Sequence, residues 1–312
     1  MNALLFLLLV ATLFQYPYYP TFSLDSSWSM ALGHFFREGL QFGPEVTFTF
    51  GPLGFLFGPT YMGLHFWSLM LWQALSTAVF AFVVIASARP LTGVRRVLYF
   101  GFFLLLGTAY YPDALYLMIV VLIGFEVIRR TREGRPLFAC LLVALLALFA
   151  IMKFTLLMLA SFSLLVAGLR ALVRGHRPQA PLLPSCFVIV YLALWAASGQ
   201  QLSNLPVYLH NSWQLSQGYQ YAMGLPTPMQ PFWPAVTALF ALSAYALLHL
   251  ILNLGRPCTV SRFSLLAAFI FLIWKQGIVR SDGHMRLFFV AALLPAVAFP
   301  ALVDDPSRRR WA

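Results

Sequence analysis

The sequence predicts an all-α protein, a polytopic bundle of about ten transmembrane helices. Three observations predict it. Of 312 residues, 61% are hydrophobic and 9% are charged, where soluble globular domains carry roughly 25% charged residues. The apolar residues fall in long runs separated by short connectors. The basic residues cluster on alternate connectors, the signature of a chain that crosses a bilayer repeatedly. The whole chain, 1–312, reads as a single transmembrane domain with no separate soluble part.

The first apolar run, 4–14, follows three uncharged residues and lacks both a basic leader and a small-residue cleavage site. It therefore reads as a short first span, not as a secretory signal. The later spans are expected near 63–88, 97–111, 114–128, 136–152, 154–173, 181–198, 232–253, 263–279 and 286–303. Several fall short of the roughly 20 residues of a full crossing, which suits tight hairpins.

With the N-terminus in the cytoplasm, the inner connectors carry 15 of the 20 Lys and Arg residues, from Arg89, Arg95 and Arg96 to Arg308, Arg309 and Arg310. The outer side receives Arg37, Lys153, Lys275, Arg280 and Arg286. This bias orients both termini to the cytoplasm. It also explains the net charge of +11 as a topological signal, so nucleic acid is not an expected partner. The lipid bilayer is. Cys140, Cys186 and Cys258 form neither a disulfide framework nor a metal-type spacing. Phosphate-loop, dinucleotide, HExxH and GxSxG motifs are absent.

The longest segment that is not a span is the first outer loop, 21–61, with Asp25, Glu38 and Glu45. Asp25, Ser26 and Ser27 are helix N-cap types. Trp28, Leu32, Phe35, Phe36 and Leu40 then recur at helical spacing, with His34, Arg37 and Glu38 off the stripe. The pattern predicts a short amphipathic helix lying in the membrane interface. Phe-Gly-Pro then occurs three times, at 42–44, 50–52 and 57–59, around an extended stretch at 46–50. Such punctuation predicts a rigid, packed loop. A second large outer loop is expected at 199–232.

Five acids, Asp25, Glu38, Glu45, Asp113 and Asp282, accompany the five outer cations. Ionisable groups at membrane depth are costly and mark candidate sites. Asp25 is either a general base at the outer face or a helix N-cap. The connector after 274 packs Lys275, Arg280, Asp282, His284 and Arg286 together, as a phosphate clamp or as a hairpin with a local Arg280–Asp282 pair. Lys153 is a third cation facing the same side, or a snorkelling lysine that marks a hairpin. In 199–232, Tyr208, His210, Trp213, Tyr219 and Tyr221, with Trp233 just beyond, suit sugar stacking or an interfacial aromatic belt.

The stretches LDSSWSMAL, GLQFGPEVTFTFGPLGFL, MKF and WKQGIVRSDGH resemble uncharacterised bacterial polytopic proteins grouped with the GT-C superfamily of integral-membrane glycosyltransferases. The resemblance covers about 20–60, 152–154 and 274–285, and elsewhere only the span pattern. It implies a polyprenyl-phosphate-linked sugar as donor and transfer to an envelope acceptor at the outer face of the bacterial inner membrane. Asp25 corresponds to the superfamily's acid of the first outer loop. Many members carry a second acid beside it, and here that position is Ser26. A metal role for the motif therefore has no acid pair to rest on, and no metal ligand or cofactor is assigned. Lys153, Lys275, Arg280, Asp282 and His284 are the expected phosphate-binding set. Two other classes fit the composition: a transporter or flippase for a lipid-linked or anionic substrate, and a non-catalytic component of an envelope assembly complex. Oligomeric state has no sequence signal here.

Overall fold

The computed structural model describes residues 2–61, 63–89, 91–106, 112–175, 178–224, 229–255, 259–279 and 284–303. Twelve α-helices account for most of them. They are α1 (Asn2–Leu13), α2 (Leu24–Arg37), α3 (Phe66–Ser87), α4 (Gly93–Leu106), α5 (Pro112–Arg132) and α6 (Pro136–Ala150). There follow α7 (Phe154–Val173), α8 (Gln179–Ala197), α9 (Leu205–Met223), α10 (Met229–Leu252), α11 (Thr259–Val279) and α12 (Met285–Val303). Among the described residues no strand forms, only three isolated backbone bridges.

Each of the ten apolar runs is a helix, and the two further helices, α2 and α9, lie in the expected loops. Five helices, α3, α7, α8, α10 and α11, are long and apolar enough to cross a membrane. Their outward faces are apolar too: Leu71, Val173, Ile189 and Leu252 are 67–82% exposed. A surface of that kind needs a hydrocarbon solvent, so the protein is a membrane protein.

Helix α5 is the centre. Residues 114–128 are buried on every side, and the helix packs against α3, α6, α7, α11 and α12. A helix apolar all round belongs in the interior of a bundle. Its ends differ in chemistry. Asp113 stands in its first turn, while Glu126, Arg129, Arg130 and Glu133 crowd its last turns and exit. The bundle thus has a loop end, near Asp113, and an arginine-rich end.

The first loop starts with the expected amphipathic helix. In α2, Leu32 is buried, Trp28, Phe35 and Phe36 are half-buried, and His34 and Arg37 are exposed. The cap differs from the expected candidates. Ser23 is the N-cap, its hydroxyl accepting from the Ser26 amide at 3.2 Å, so the helix starts one turn earlier. The second outer segment, 199–232, is not a loop over most of its length: α9 occupies it, preceded by a 3-10 turn at Leu202–Asn204. Only a narrow strip of α9, with Tyr208 and Ser212 buried, faces the bundle. That strip is too thin to stand out as an apolar stripe in a segment rich in amides.

Candidate functional site

Residues 40–61 are docked, not free. Phe42, Val46, Phe50, Phe55 and Phe57 are all within 5% of full burial. The Gly51 amide donates to Met152 O at 3.1 Å and the Phe154 amide to Thr49 O at 2.8 Å, which pairs Phe50 with Lys153 across the α6–α7 turn. Gly51 is required by this approach, because a Cβ there would lie 2.2 Å from Ile151 O. Gly43 serves the other contact: its φ is +108°, and a Cβ would meet the Tyr208 amide nitrogen at 2.9 Å.

A set of carboxamides ties the same loop to the segment before α9. Gln200 accepts from the Phe42 amide at 2.7 Å and donates to Leu40 O at 3.0 Å. Gln41 donates to Gly199 O at 3.0 Å, and its side-chain oxygen accepts from the Gln201 amide and from Asn204. Farther along α9, Asn211 donates to Gly43 O and Ser212 to Phe48 O. A carboxamide offers both donor and acceptor, so one side chain can satisfy two backbone groups of a loop that has no ladder of its own. Burial pushes the Tyr208 phenol well above its ordinary pKa, so it stays uncharged.

Asp25 sits in the first turn of α2, exposed, and accepts from the Trp28 indole N–H at 3.0 Å. The cap belongs to Ser23, which leaves the Asp25 carboxylate outside the capping geometry. Its charge there is favoured by the helix dipole. The Trp28 ring stacks on Phe50 with centroids 4.6 Å apart. The Lys153 ammonium lies over Phe50 at 4.6 Å and over Phe57 at 4.7 Å, and forms an ion pair with Asp113. Its side chain is 13% exposed. Asp25 and Lys153, 128 positions apart in sequence, are thus linked through two aromatic rings. The ammonium is held by a carboxylate and two ring faces, an arrangement that suits a desolvated cation.

Lys275 is half-buried and donates to Ser216 O on α9 at 3.2 Å. Since α9 is fastened to the first loop, Lys275 belongs to the same end of the bundle, one helix away from Lys153. His284 opens α12, where its carbonyl accepts from the Leu287 amide at 2.9 Å. Gly277 on α11 lies against it and against Phe288. Arg280 and Asp282 lie outside the described residues. Among the described residues no group of three His, Cys, Asp or Glu side chains could hold a metal ion. His210 bonds Gln214 on the exposed face of α9, beside the exposed Trp213 and Tyr219.

The residues that sequence reasoning gave no partner are the fasteners: the carboxamides of Gln41, Gln200, Asn204 and Asn211. Each is a surface-type amide whose partner lies in a distant stretch. No family model, curated protein or solved structure matches the chain.

Proposed function

We propose that the protein is a GT-C-type glycosyltransferase with ten spans and both termini in the cytoplasm, acting at the outer face of a bacterial inner membrane. The donor is a polyprenyl-phosphate-linked sugar. Asp25 takes the proton of an acceptor hydroxyl, the hydroxyl oxygen bonds to the anomeric carbon, and the anomeric carbon–phosphate oxygen bond breaks to release polyprenyl phosphate. Lys275 and Arg280, on or beside the connector that also carries Asp282, supply positive charge to the leaving phosphate, and His284 offers it a hydrogen-bond donor. Lys153, whose charge Asp113 matches, holds the platform under Asp25.

The observation that carries this reading is the state of Asp25. It is an exposed carboxylate, free of the capping task, oriented by the Trp28 indole and mounted on a buried loop. A base needs that combination of access and fixed direction. A transfer assay with radiolabelled polyprenyl-phosphate sugars tests it. Asp25→Asn keeps the Trp28 hydrogen bond and should lower turnover by about 10²–10⁴-fold, with folded yield unchanged; equal turnover would refute the role. Orientation is tested separately. A cysteine at Tyr221, which is 94% exposed, should react with an impermeant thiol reagent from the periplasmic side in a cysteine-free background.

One observation favours a second reading, a non-catalytic envelope component: Lys153 already has its anion in Asp113. Under that reading Asp25→Asn has no effect in any transfer assay, and Lys153 variants act only through the amount of folded protein.

A further inference from the structure

Helix α3 carries a polar side chain at its apolar centre that the loop platform does not use. Gln73 is 2% exposed, and its amide nitrogen has no hydrogen-bond partner in the protein. A buried amide group without a partner is costly, and more so among hydrocarbon neighbours. Gln73 faces a cavity of about 10 Å³ at the junction of α1, α3 and α5. Ser76 and Thr77 of α3, Tyr116 of α5 and Leu13 of α1 share the wall.

The hydrogen-bonding capacity of that wall can be worked out atom by atom. Thr77 Oγ1 donates to the Gln73 backbone carbonyl at 2.5 Å, and Ser76 Oγ donates to the same carbonyl at 3.4 Å. Both hydroxyl protons are therefore engaged, and both oxygens keep lone pairs. The Tyr116 hydroxyl oxygen accepts the Trp72 indole N–H at 2.9 Å, and the Tyr116 and Ser76 hydroxyls bond one another. The cavity is thus offered the unpaired Gln73 N–H group as donor, and the remaining lone pairs of Thr77 Oγ1 and of the Tyr116–Ser76 pair as acceptors.

We propose that this cavity is a binding site for a single structural water. A water can accept from Gln73 Nε2 and donate to two of the hydroxyl oxygens. The space admits the centre of a single water. The wall has no carboxylate for a cation, and Leu13, Phe80, Leu115 and Ile119 enclose its polar patch. The site also has a place in the fold. Tyr116 stands one turn along α5 from Asp113, and its ring packs on Phe57, the ring beneath Lys153, at 4.8 Å. The water joins α3 and α5 directly under the loop platform, with Leu13 of α1 covering it.

The test uses the full chain in lipid nanodiscs. An experimental map that resolves other internal waters should show a peak within hydrogen-bond distance of Gln73 Nε2 and of two or more of the three hydroxyls. A map with no peak there overturns the proposal. Thermal unfolding gives an independent readout. Gln73→Met and Thr77→Val should each lower the midpoint by about 2–4 °C, and the double variant should fall little further than either single one. Additive shifts, or a raised midpoint for Gln73→Met, would mean a dry site and would contradict the proposal. Where a variant does not fold, the map of the wild-type chain decides.

Discussion

The two ends of the bundle are held together by opposite means. At the arginine-rich end the ion pairs among the described residues are local. Arg129 and Arg130 pair with Glu126 and Glu133 three or four residues away on the same helical stretch, and Arg130 also lies over the Phe138 ring at 4.5 Å. At the loop end most partners are far apart in sequence. Phe42 and Gln200 are 158 positions apart, and Lys153 and Asp113 are 40 apart. Few charges are present there, so the work falls to carboxamides, aromatic faces and backbone bridges. The lesson is that local pairs stabilise a helix they already belong to, whereas the loop-end contacts decide where 40–61 sits. Damage at the loop end should therefore cost more, and should reach Asp25.

Lys153→Ala should produce the largest effect. It leaves Asp113 without its cation at a partly buried position and removes the ammonium between Phe50 and Phe57. We expect a loss of about 3 kcal/mol, the lower end of the range for a broken buried pair because Asp113 is 29% exposed. Unfolding followed by detergent-resistant size-exclusion would register it, and an unchanged midpoint would dissolve the contrast between the two ends. Gly51→Ala comes next, at about 2–3 kcal/mol. The added methyl must push 49–51 off the α6–α7 turn, since no flexible side-chain end but a backbone carbonyl stands in its way. Chemical denaturation compared with Gly101→Ala, where a Cβ meets nothing within 4 Å, isolates the clash.

Gln200→Ala strands the Phe42 amide and the Leu40 carbonyl, and should cost about 2 kcal/mol. The same variant should leave the arginine-rich end unaltered, which cysteine accessibility at both ends can compare. The smallest effect belongs to Glu133→Gln. Its pair with Arg130 is local and Glu133 is 37% exposed, so about 0.5 kcal/mol is expected. A larger loss there than for Gln200→Ala would reverse the comparison.

The helices were legible because apolar runs of 11 to 26 residues leave few alternatives in a chain this poor in charge. The run 114–128 was legible as a span, with Glu126 the one charged residue among its 15 positions, but its place at the centre of the bundle was not. The packed first loop was readable from its Phe-Gly-Pro turns, since glycine and proline fix a path and phenylalanine needs burial. What sequence could not supply was partnership. Nothing in Met152-Lys153-Phe154 points to Asp113, and nothing near Gln41 points to Gly199 or Asn204. Helix α9 was hidden for a related reason: its buried strip is Tyr208 and Ser212, one half-polar and one polar residue, so the ring that packs on Phe42 and Trp195 has no apolar stripe around it. Asp25 was picked out by type and position, but its release from the cap depended on Ser23, a residue with the same capping chemistry as its neighbours.

The central claim is that 40–61 is a docked platform, fixed at the α6–α7 turn and at the start of α9, that holds the α2 segment with Asp25. Amide hydrogen exchange in nanodiscs tests it most directly. The Gly51 and Phe154 amides, bonded across the docking seam, and the Phe42 amide, bonded to Gln200, should exchange as slowly as the amides of α7. Exchange of these amides at the rate of an open loop, while α7 stays protected, would contradict it.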